Sequence, residues 1–220
     1  MTITANLQFI QQQLPKTVKL VAVSKTKSAE QLIEAYQAGQ RLFGENKVQE
    51  LLSKWQTLPK DIEWHFIGHL QSNKIKPIIP FITLIQGVDS FRLLAAINKE
   101  AEKIGRVVSV LLEFHIAEED SKFGLSLPEA EEMLGSSEWK SFNHITVCGV
   151  MGMATFTSDE VIIKSEFERL SSIFVQLKEK FFRDSDHFCE RSMGMSDDYL
   201  IAISAGSTLV RIGSKIFGNR

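Results

Sequence analysis

The chain has 220 residues, of which 44% are hydrophobic and 24% are charged, and its formal net charge is -2. This length suits one globular core, and the balanced charge argues against the basic surface typical of proteins that bind nucleic acid or anionic membranes. Cys148 and Cys189 show neither CxxC spacing nor a companion histidine pair, so no metal site is predicted. No signal peptide and no apolar run of transmembrane length is recognisable, which predicts a cytoplasmic protein.

Helical and strand patterns alternate along the chain. Ile3, Leu7, Ile10 and Leu14 recur at helical spacing, which predicts an extra N-terminal helix that Pro15 closes. Strands are predicted at 18–24, 41–44, 63–67, 83–88, 106–114, 144–150, 187–192 and 209–212. Helices are predicted between them at 29–38, 46–55, 73–78, 91–104, 128–134, 159–181 and 197–204. The alternation predicts an α/β fold, a single closed (β/α)8 TIM barrel over 1–220, with a doubly wound open sheet as the alternative.

Lys25 directly follows the first predicted strand. An amine placed where a buried strand meets solvent can be partly desolvated, which lowers its pKa and makes it a nucleophile toward carbonyls. A strand that merely ends in a solvated lysine is the simpler interpretation. The far end of the chain changes this balance, because Arg211 is a cation and Gly213 with Ser214 can cradle a phosphate. A lysine and a distant phosphate site are what pyridoxal 5'-phosphate (PLP) requires.

In such a barrel, chemistry sits at the carboxyl ends of the strands, and phosphates bind after strands seven and eight. Gly213 and Ser214 follow strand eight and offer backbone N–H groups and a hydroxyl at a helix N-terminus. Ser192 and Gly194 follow strand seven and are predicted to form the other wall of this cradle. The segment 206–208 precedes strand eight, on the opposite rim, and is interpreted as a turn.

Arg211 points into the barrel if strand eight alternates, and its guanidinium can then meet a pyridine nitrogen; a structural ion pair is the alternative. A permanent cation there makes the ring a poorer electron sink. A racemase would also need a second base, yet Tyr36 and Tyr199 fall inside predicted helices, so no catalytic residue is assigned. His69, at a strand end, is a candidate lining residue. Lys122 is interpreted as a loop lysine, with cofactor handling as the alternative.

Several motifs occur together in the order typical of one family. They are Val23-Ser24-Lys25-Thr26-Lys27, Phe43-Gly44-Glu45-Asn46, Trp64-His65-Phe66-Ile67-Gly68-His69-Leu70-Gln71-Ser72-Asn73-Lys74, Gly149-Val150-Met151-Gly152-Met153, Ser192-Met193-Gly194-Met195-Ser196-Asp197-Asp198 and Gly206-Ser207-Thr208-Leu209-Val210-Arg211-Ile212-Gly213. With them the sequence resembles the pyridoxal phosphate homeostasis proteins, single-domain relatives of the alanine racemase barrel (fold-type III PLP proteins).

The resemblance implies PLP bound as a Schiff base on Lys25 and not on Lys27. It implies Arg211 at the pyridine nitrogen, and Ser192, Gly213 and Ser214 around the phosphate. Asn46, in the second motif, is included among the cofactor-binding residues. The sequence departs from the family pattern at three places: Ser28 stands where a proline is usual, Lys47 where a tyrosine is common, and Ser214 where a threonine is frequent.

The resemblance also implies a function. Family members are described as buffering or delivering PLP in vitamin B6 homeostasis, with effects on amino-acid and keto-acid balance and without robust enzymatic activity. A monomer is expected, with PLP-dependent apo-enzymes as candidate partners. Two alternatives remain at this point: a slow PLP-dependent amino-acid racemase or lyase, and a barrel that binds another phosphorylated metabolite or a partner protein.

Overall fold

A computed structural model of the chain describes residues 2–118 and 123–218. Within these ranges, parallel strands form a closed barrel in sequential order, and β1 pairs with β8. The strands are β1 Lys19–Val23, β2 Leu42–Glu45, β3 Glu63–Phe66, β4 Leu84–Val88, β5 Val108–Phe114, β6 Ile145–Gly152, β7 Glu190–Ser192 and β8 Leu209–Ile212. The closure confirms the predicted (β/α)8 barrel and excludes the doubly wound alternative.

Helices connect the strands and cover the outside of the barrel. They are α1 Ile3–Gln13, α2 Ala29–Gln37, α3 Val48–Thr57, α4 Phe91–Glu102, α5 Leu127–Gly135, α6 Glu160–Phe181, α7 Tyr199–Ser204 and α8 Ser214–Phe217, with short 3-10 turns at Ser72–Lys74 and Trp139–Ser141. Among the described residues, none of these helices is long and apolar enough to cross a bilayer.

Helix α2 shows how local sequence sets an element. The Ser28 hydroxyl accepts a hydrogen bond from the N–H of Gln31, and the Gln31 side chain accepts one from the N–H of Ser28. This capping box satisfies two backbone donors that the first helical turn leaves without partners. Ser28, which departs from the family pattern, therefore begins α2 through its own side chain.

The core has two layers. Large side chains such as Phe43, Trp64 and Phe167 are buried between the strands and the surrounding helices. A second, smaller buried cluster lies inside the barrel. Its members are Val21, Leu84, Leu111, Met151 and Leu209. Each comes from a different strand, as inward-pointing residues of a small barrel must.

Helix α1 packs against the last helix of the chain. Leu7 and Ile10 of α1 are buried, and the Asn6 side chain donates a hydrogen bond to the carbonyl of Ile216 at 3.0 Å. The predicted N-terminal helix is confirmed, and Leu7 and Ile10 on one of its faces are buried. Helix α8 begins directly after β8, so α1 supports the segment in which the phosphate cradle is predicted.

The predicted helix at 73–78 is wrong. The chain forms a 3-10 turn at Ser72–Lys74 and continues in further turns. Pro77 and Pro80 explain the difference, since proline lacks an N–H and restricts the residue before it.

The predicted turn at 206–208 is confirmed, because the Ser207 hydroxyl donates to the carbonyl of Met193 at 2.7 Å and holds the chain ahead of β8.

Candidate cofactor site

A cavity of about 390 Å³ opens at the carboxyl ends of the strands. Of the predicted site residues, Lys25, Asn46, Arg211, Gly213 and Ser214 line it. The rest of the wall consists of Val23, Thr26, Lys27, Ile67, Met153, Met195, Ser196, Asp197 and Gly218. The volume lies within the range of sites that hold small ligands. The first and last strands therefore bring their predicted residues to one place.

Two lysines line the cavity, and the structure distinguishes them. The Lys27 ammonium donates to the carbonyl of Gly218 at 2.9 Å and to that of Phe217 at 3.4 Å, so it binds the end of α8. Lys25 lies in the turn after β1 and is half-buried. The Lys27 ammonium therefore links the turn after β1 to the end of α8.

Arg211 projects from β8 into the barrel, as strand alternation predicts, and its side chain is buried. One guanidinium nitrogen donates to the hydroxyl and the carbonyl of Ser192, at 2.6 and 2.9 Å, and the other donates to the carbonyl of Gly152 at 3.1 Å. These acceptors are neutral and orient the guanidinium, and within residues 2–118 and 123–218 no carboxylate forms a direct ion pair with it. Burial lowers the pKa of Arg211 to about 10, and it remains a cation at neutral pH.

A chain of buried hydrogen bonds extends from Arg211 across the barrel interior. The Ser192 hydroxyl is 2.6 Å from Oε1 of Gln86, and Nε2 of Gln86 is 2.9 Å from Nδ1 of His65. Arginine can only donate, so the Ser192 hydroxyl accepts from Arg211 and donates to Gln86. The Gln86 amide then donates to His65, which leaves Nδ1 as an acceptor and the proton on Nε2. Burial, assisted by the Lys19 ammonium, lowers the pKa of His65 to about 3 and keeps the ring neutral.

Glu113 on β5 is a buried carboxyl group whose charge interacts with that of Arg211. Glu113 is only 5% exposed. Burial is the main reason that the pKa of Glu113 rises to about 7, and the Asp89 carboxylate adds to the effect. The Arg211 guanidinium acts in the opposite direction. Glu113 therefore changes its charge in the neutral pH range, close to the cation at the base of the cavity.

Ser192 and Gly194 are not among the residues that line the cavity. The Ser192 hydroxyl is fully buried and bonded to Arg211 and Gln86 instead of facing a phosphate. Gly194 has a φ of 95°, and a Cβ there would lie 2.6 Å from Cβ of Ala202, so this glycine permits the chain to turn tightly into α7. Neither residue faces the cavity in this structure.

Ser196, four residues after Ser192, lies on the cavity wall. Its hydroxyl accepts a hydrogen bond from the N–H of Gly213 at 3.3 Å, and the residue lines the cavity. A Cβ at Gly213 would lie 3.1 Å from the carbonyl oxygen of Val23, so glycine lets the loop after β8 approach the end of β1. Ser196 lies in the loop after strand seven, where phosphates bind in such barrels. This position could have indicated Ser196 as a site residue from the sequence.

The remaining candidates lie away from the cavity wall. His69 is exposed, its Nδ1 is 3.1 Å from Oδ2 of Asp89, and its ring stacks on Phe123. The Tyr36 hydroxyl donates to Asp61 and that of Tyr199 to Gln13, so neither tyrosine serves the cavity. Lys122 lies outside the described residues. In the part of the chain that is described, no group of three or more His, Cys, Asp or Glu side chains could hold a metal ion.

The groups on the wall fit PLP. Lys25 supplies an amine, Arg211 a cation inside the barrel, and Gly213 with Ser214 an N–H group and a hydroxyl at the end of β8. Asn46 contributes a further observation: its Oδ1 is buried and has no hydrogen-bond partner within residues 2–118 and 123–218. Buried polar atoms are normally hydrogen-bonded, so an orphaned acceptor in a cavity wall indicates a ligand.

Comparison with known proteins agrees with this fit. The sequence matches the family model of the alanine racemase N-terminal domain over residues 1–220. It is 38% identical to the pyridoxal phosphate homeostasis protein of Pasteurella multocida, across 100% of this chain and 98% of that protein. It is 40% identical to the protein of the same name from Mus musculus, across 92% of this chain and 77% of that protein. The chain belongs to the pyridoxal phosphate homeostasis protein family.

Solved structures show the same relationship. PipY of Synechococcus elongatus PCC7942, a structure with PLP bound, is 31% identical, with a TM-score of 0.90 across 99% of this chain and 100% of that one. An alanine racemase of Clostridium difficile 630 gives a TM-score of 0.77 at 15% identity, and the match covers 60% of its length. That similarity shows the barrel fold alone.

The departures from the pattern of pyridoxal phosphate homeostasis proteins leave the cavity intact. Lys47 is exposed, precedes α3, and is not among the residues that line the cavity. Ser214 keeps a hydroxyl on the wall. The change at Ser28 is absorbed by the capping box of α2.

Proposed function

We propose that this protein binds PLP as a Schiff base on Lys25 and buffers or delivers the cofactor in vitamin B6 homeostasis, with effects on amino-acid and keto-acid balance. The observation that carries the proposal is that Lys25 and Arg211, from opposite ends of the barrel sequence, line one cavity together with Gly213 and Ser214. The family relationship and the PLP in PipY support it. Residues 1–220 would act as a single PLP-binding unit, a cytoplasmic monomer.

Each wall residue has a proposed part. Lys25 provides the amine that condenses with the aldehyde. The hydroxyls of Ser214 and Ser196 hold the phosphate, and the N–H of Gly213 keeps the Ser196 hydroxyl in place. Ser196 takes the task that was predicted for Ser192. Arg211 faces the pyridine nitrogen, and Asn46, through its unpartnered Oδ1, offers a further polar contact. Ser192 contributes indirectly, because it holds the Arg211 guanidinium.

The proposal includes the absence of robust catalysis. PLP supplies an electron sink for carbanion chemistry when its pyridine nitrogen is protonated. A guanidinium at that nitrogen opposes protonation. Among the described residues that line the cavity there is no tyrosine or histidine to act as a second base, and Ile67, Met153 and Met195 make part of the wall apolar. PLP-dependent apo-enzymes are the proposed acceptors of the cofactor.

A matched pair of substitutions tests the site. Lys25→Arg and Lys27→Arg each remove one primary amine from the same cavity while they keep its charge. After incubation with PLP and reduction with borohydride, peptide mapping should find the cofactor on residue 25 in the wild type and in Lys27→Arg. Lys25→Arg should lose the visible absorbance and the adduct. Equal labelling of Lys25→Arg, or a colourless wild type, would overturn the proposal.

Two further measurements separate a carrier from an enzyme. The loaded protein is incubated with single L-amino acids, and the products and their chirality are followed. We expect turnover far below ordinary enzyme rates of about one per second. Transfer of PLP to a PLP-dependent apo-enzyme should restore that enzyme's activity. Rapid turnover would instead support a racemase or lyase.

A further inference from the structure

Lys25 lies in a turn with unfavourable backbone geometry. The N–H of Lys27 donates to the carbonyl of Ser24 at 3.0 Å, which closes a β-turn with Lys25 second and Thr26 third. Thr26 has a φ of 66°, whereas no other described residue apart from glycine has a positive φ. A positive φ at the third position is usual for glycine or asparagine in type II turns. A β-branched residue adopts it only where surrounding contacts enforce it.

Those contacts come from α3. The Lys54 ammonium donates to the carbonyl of Ser24 at 2.7 Å and to Oε1 of Glu50, also at 2.7 Å. The same Glu50 oxygen accepts from the N–H of Thr26 at 2.6 Å. The two peptide groups that flank Lys25 are therefore each fixed by a charged side chain of one helix.

Glu45 anchors this arrangement in the core. Its side chain is completely buried, and Oε1 accepts from Lys54 at 2.7 Å and from the Ser24 hydroxyl at 2.6 Å. Burial raises the pKa of Glu45, and the Lys54 ammonium opposes this shift. Desolvating such charges is costly, and apolar side chains of similar size would often stabilise a fold as well. The stability of the barrel alone therefore gives no reason for a charged cluster at this place.

We infer that Lys54, Glu45 and Glu50, here called the turn clamp, are positioning residues for Lys25. The clamp fixes the peptide groups on either side of Lys25 and holds Thr26 at its unfavourable φ, so that the Lys25 side chain points into the cavity. The role of the clamp in forming a bond between Lys25 and PLP rests on the proposed function. The turn geometry itself is a property of the protein without cofactor.

Glu50→Ala tests the clamp, because it removes the acceptor of the Thr26 N–H and leaves Lys54 paired with Glu45. In the protein stripped of PLP, hydrogen exchange of the Thr26 amide should accelerate. The rate at which PLP becomes reducible onto Lys25 should fall about tenfold, since a left-handed non-glycine residue costs about that factor when nothing holds it. Glu50→Gln keeps an acceptor and should stay near the wild type.

A second substitution distinguishes positioning from general destabilisation. Glycine adopts a positive φ without strain, so Thr26→Gly in the Glu50→Ala background should recover most of the lost rate. Glu131→Ala is the matched control, because it breaks another glutamate–lysine pair away from the turn. In that pair, Oε2 of Glu131 is 2.9 Å from Nζ of Lys180. That variant should change neither exchange at Thr26 nor the rate.

Three results would overturn the inference. They are unchanged Thr26 exchange in Glu50→Ala, a Glu50→Gln variant as slow as Glu50→Ala, or no recovery with Thr26→Gly. If the wild type formed no adduct with PLP, the proposed function would fail, whereas the exchange measurements would still decide whether the clamp holds the turn.

Discussion

Replacing Glu113 by glutamine should make the protein more stable at alkaline pH. The pKa of Glu113 rises from 4.5 to about 7 because the carboxyl is buried, and Asp89 adds to the effect. Its neutral form therefore contributes stability that is fully present below pH 4.5 and is lost as the pH rises through about 7. A shift of this size corresponds to about 3 kcal/mol, at roughly 1.4 kcal/mol per unit. Glutamine keeps the neutral form at every pH.

Urea unfolding without added PLP, at pH 5 and pH 8, measures this difference. At pH 8, Glu113→Gln should exceed the wild type by about 3 kcal/mol in the free energy of unfolding, whereas at pH 5 the two should differ by about 1 kcal/mol or less. Glu168→Gln, the same substitution at an exposed carboxylate of α6, is the control for the change of residue type. A Glu113→Gln variant with the same advantage at both pH values, or with none, would refute the reasoning.

Three further outcomes follow from the hydrogen-bond chain and from the cavity wall. The His65 ring, with its pKa lowered to about 3 by burial, should carry its proton on Nε2 and should not titrate between pH 8 and pH 5 in ¹⁵N-resolved NMR spectra; a midpoint near 6.5 would contradict the chain. Ser192→Ala should lower the free energy of unfolding by about 1–3 kcal/mol, because it leaves buried groups of Arg211 and Gln86 without partners. Ser214→Ala, at an exposed position, should leave the free energy of unfolding unchanged and weaken PLP binding. If Ser192→Ala weakened PLP binding and Ser214→Ala did not, Ser192 and not Ser214 would contact the phosphate.

Much of the barrel could be predicted because the relevant signals are local. Apolar runs predicted the strands, and the alternation of side chains along β8 correctly predicted that Arg211 points into the barrel. The orientation of Ser192 was harder to infer, because β7 spans only Glu190–Ser192 and its last residue could be taken for part of the following loop. The side chain in fact lies in the barrel interior, bonded to Arg211 and Gln86.

The turn clamp could not be inferred from sequence. A lysine at position 54, inside a helix with polar neighbours, has the pattern of a surface residue. Its burial depends on Glu45 and on the carbonyl of Ser24, which lie on two other elements. The φ of Thr26 gave no signal either, because the residue type does not favour that conformation. Only the folded arrangement brings these groups together.

The seam between β1 and β8 has a consequence for synthesis on the ribosome. Lys19 to Ala22 of β1 pair with Leu209 to Ile212 of β8, and Gly213 lies against Val23. Lys25 is thus translated early, and Gly213 and Ser214, the proposed phosphate cradle, are translated late. A nascent chain acquires a complete pocket in a single late event, when its last strand joins its first, so cofactor retention reports on ring closure.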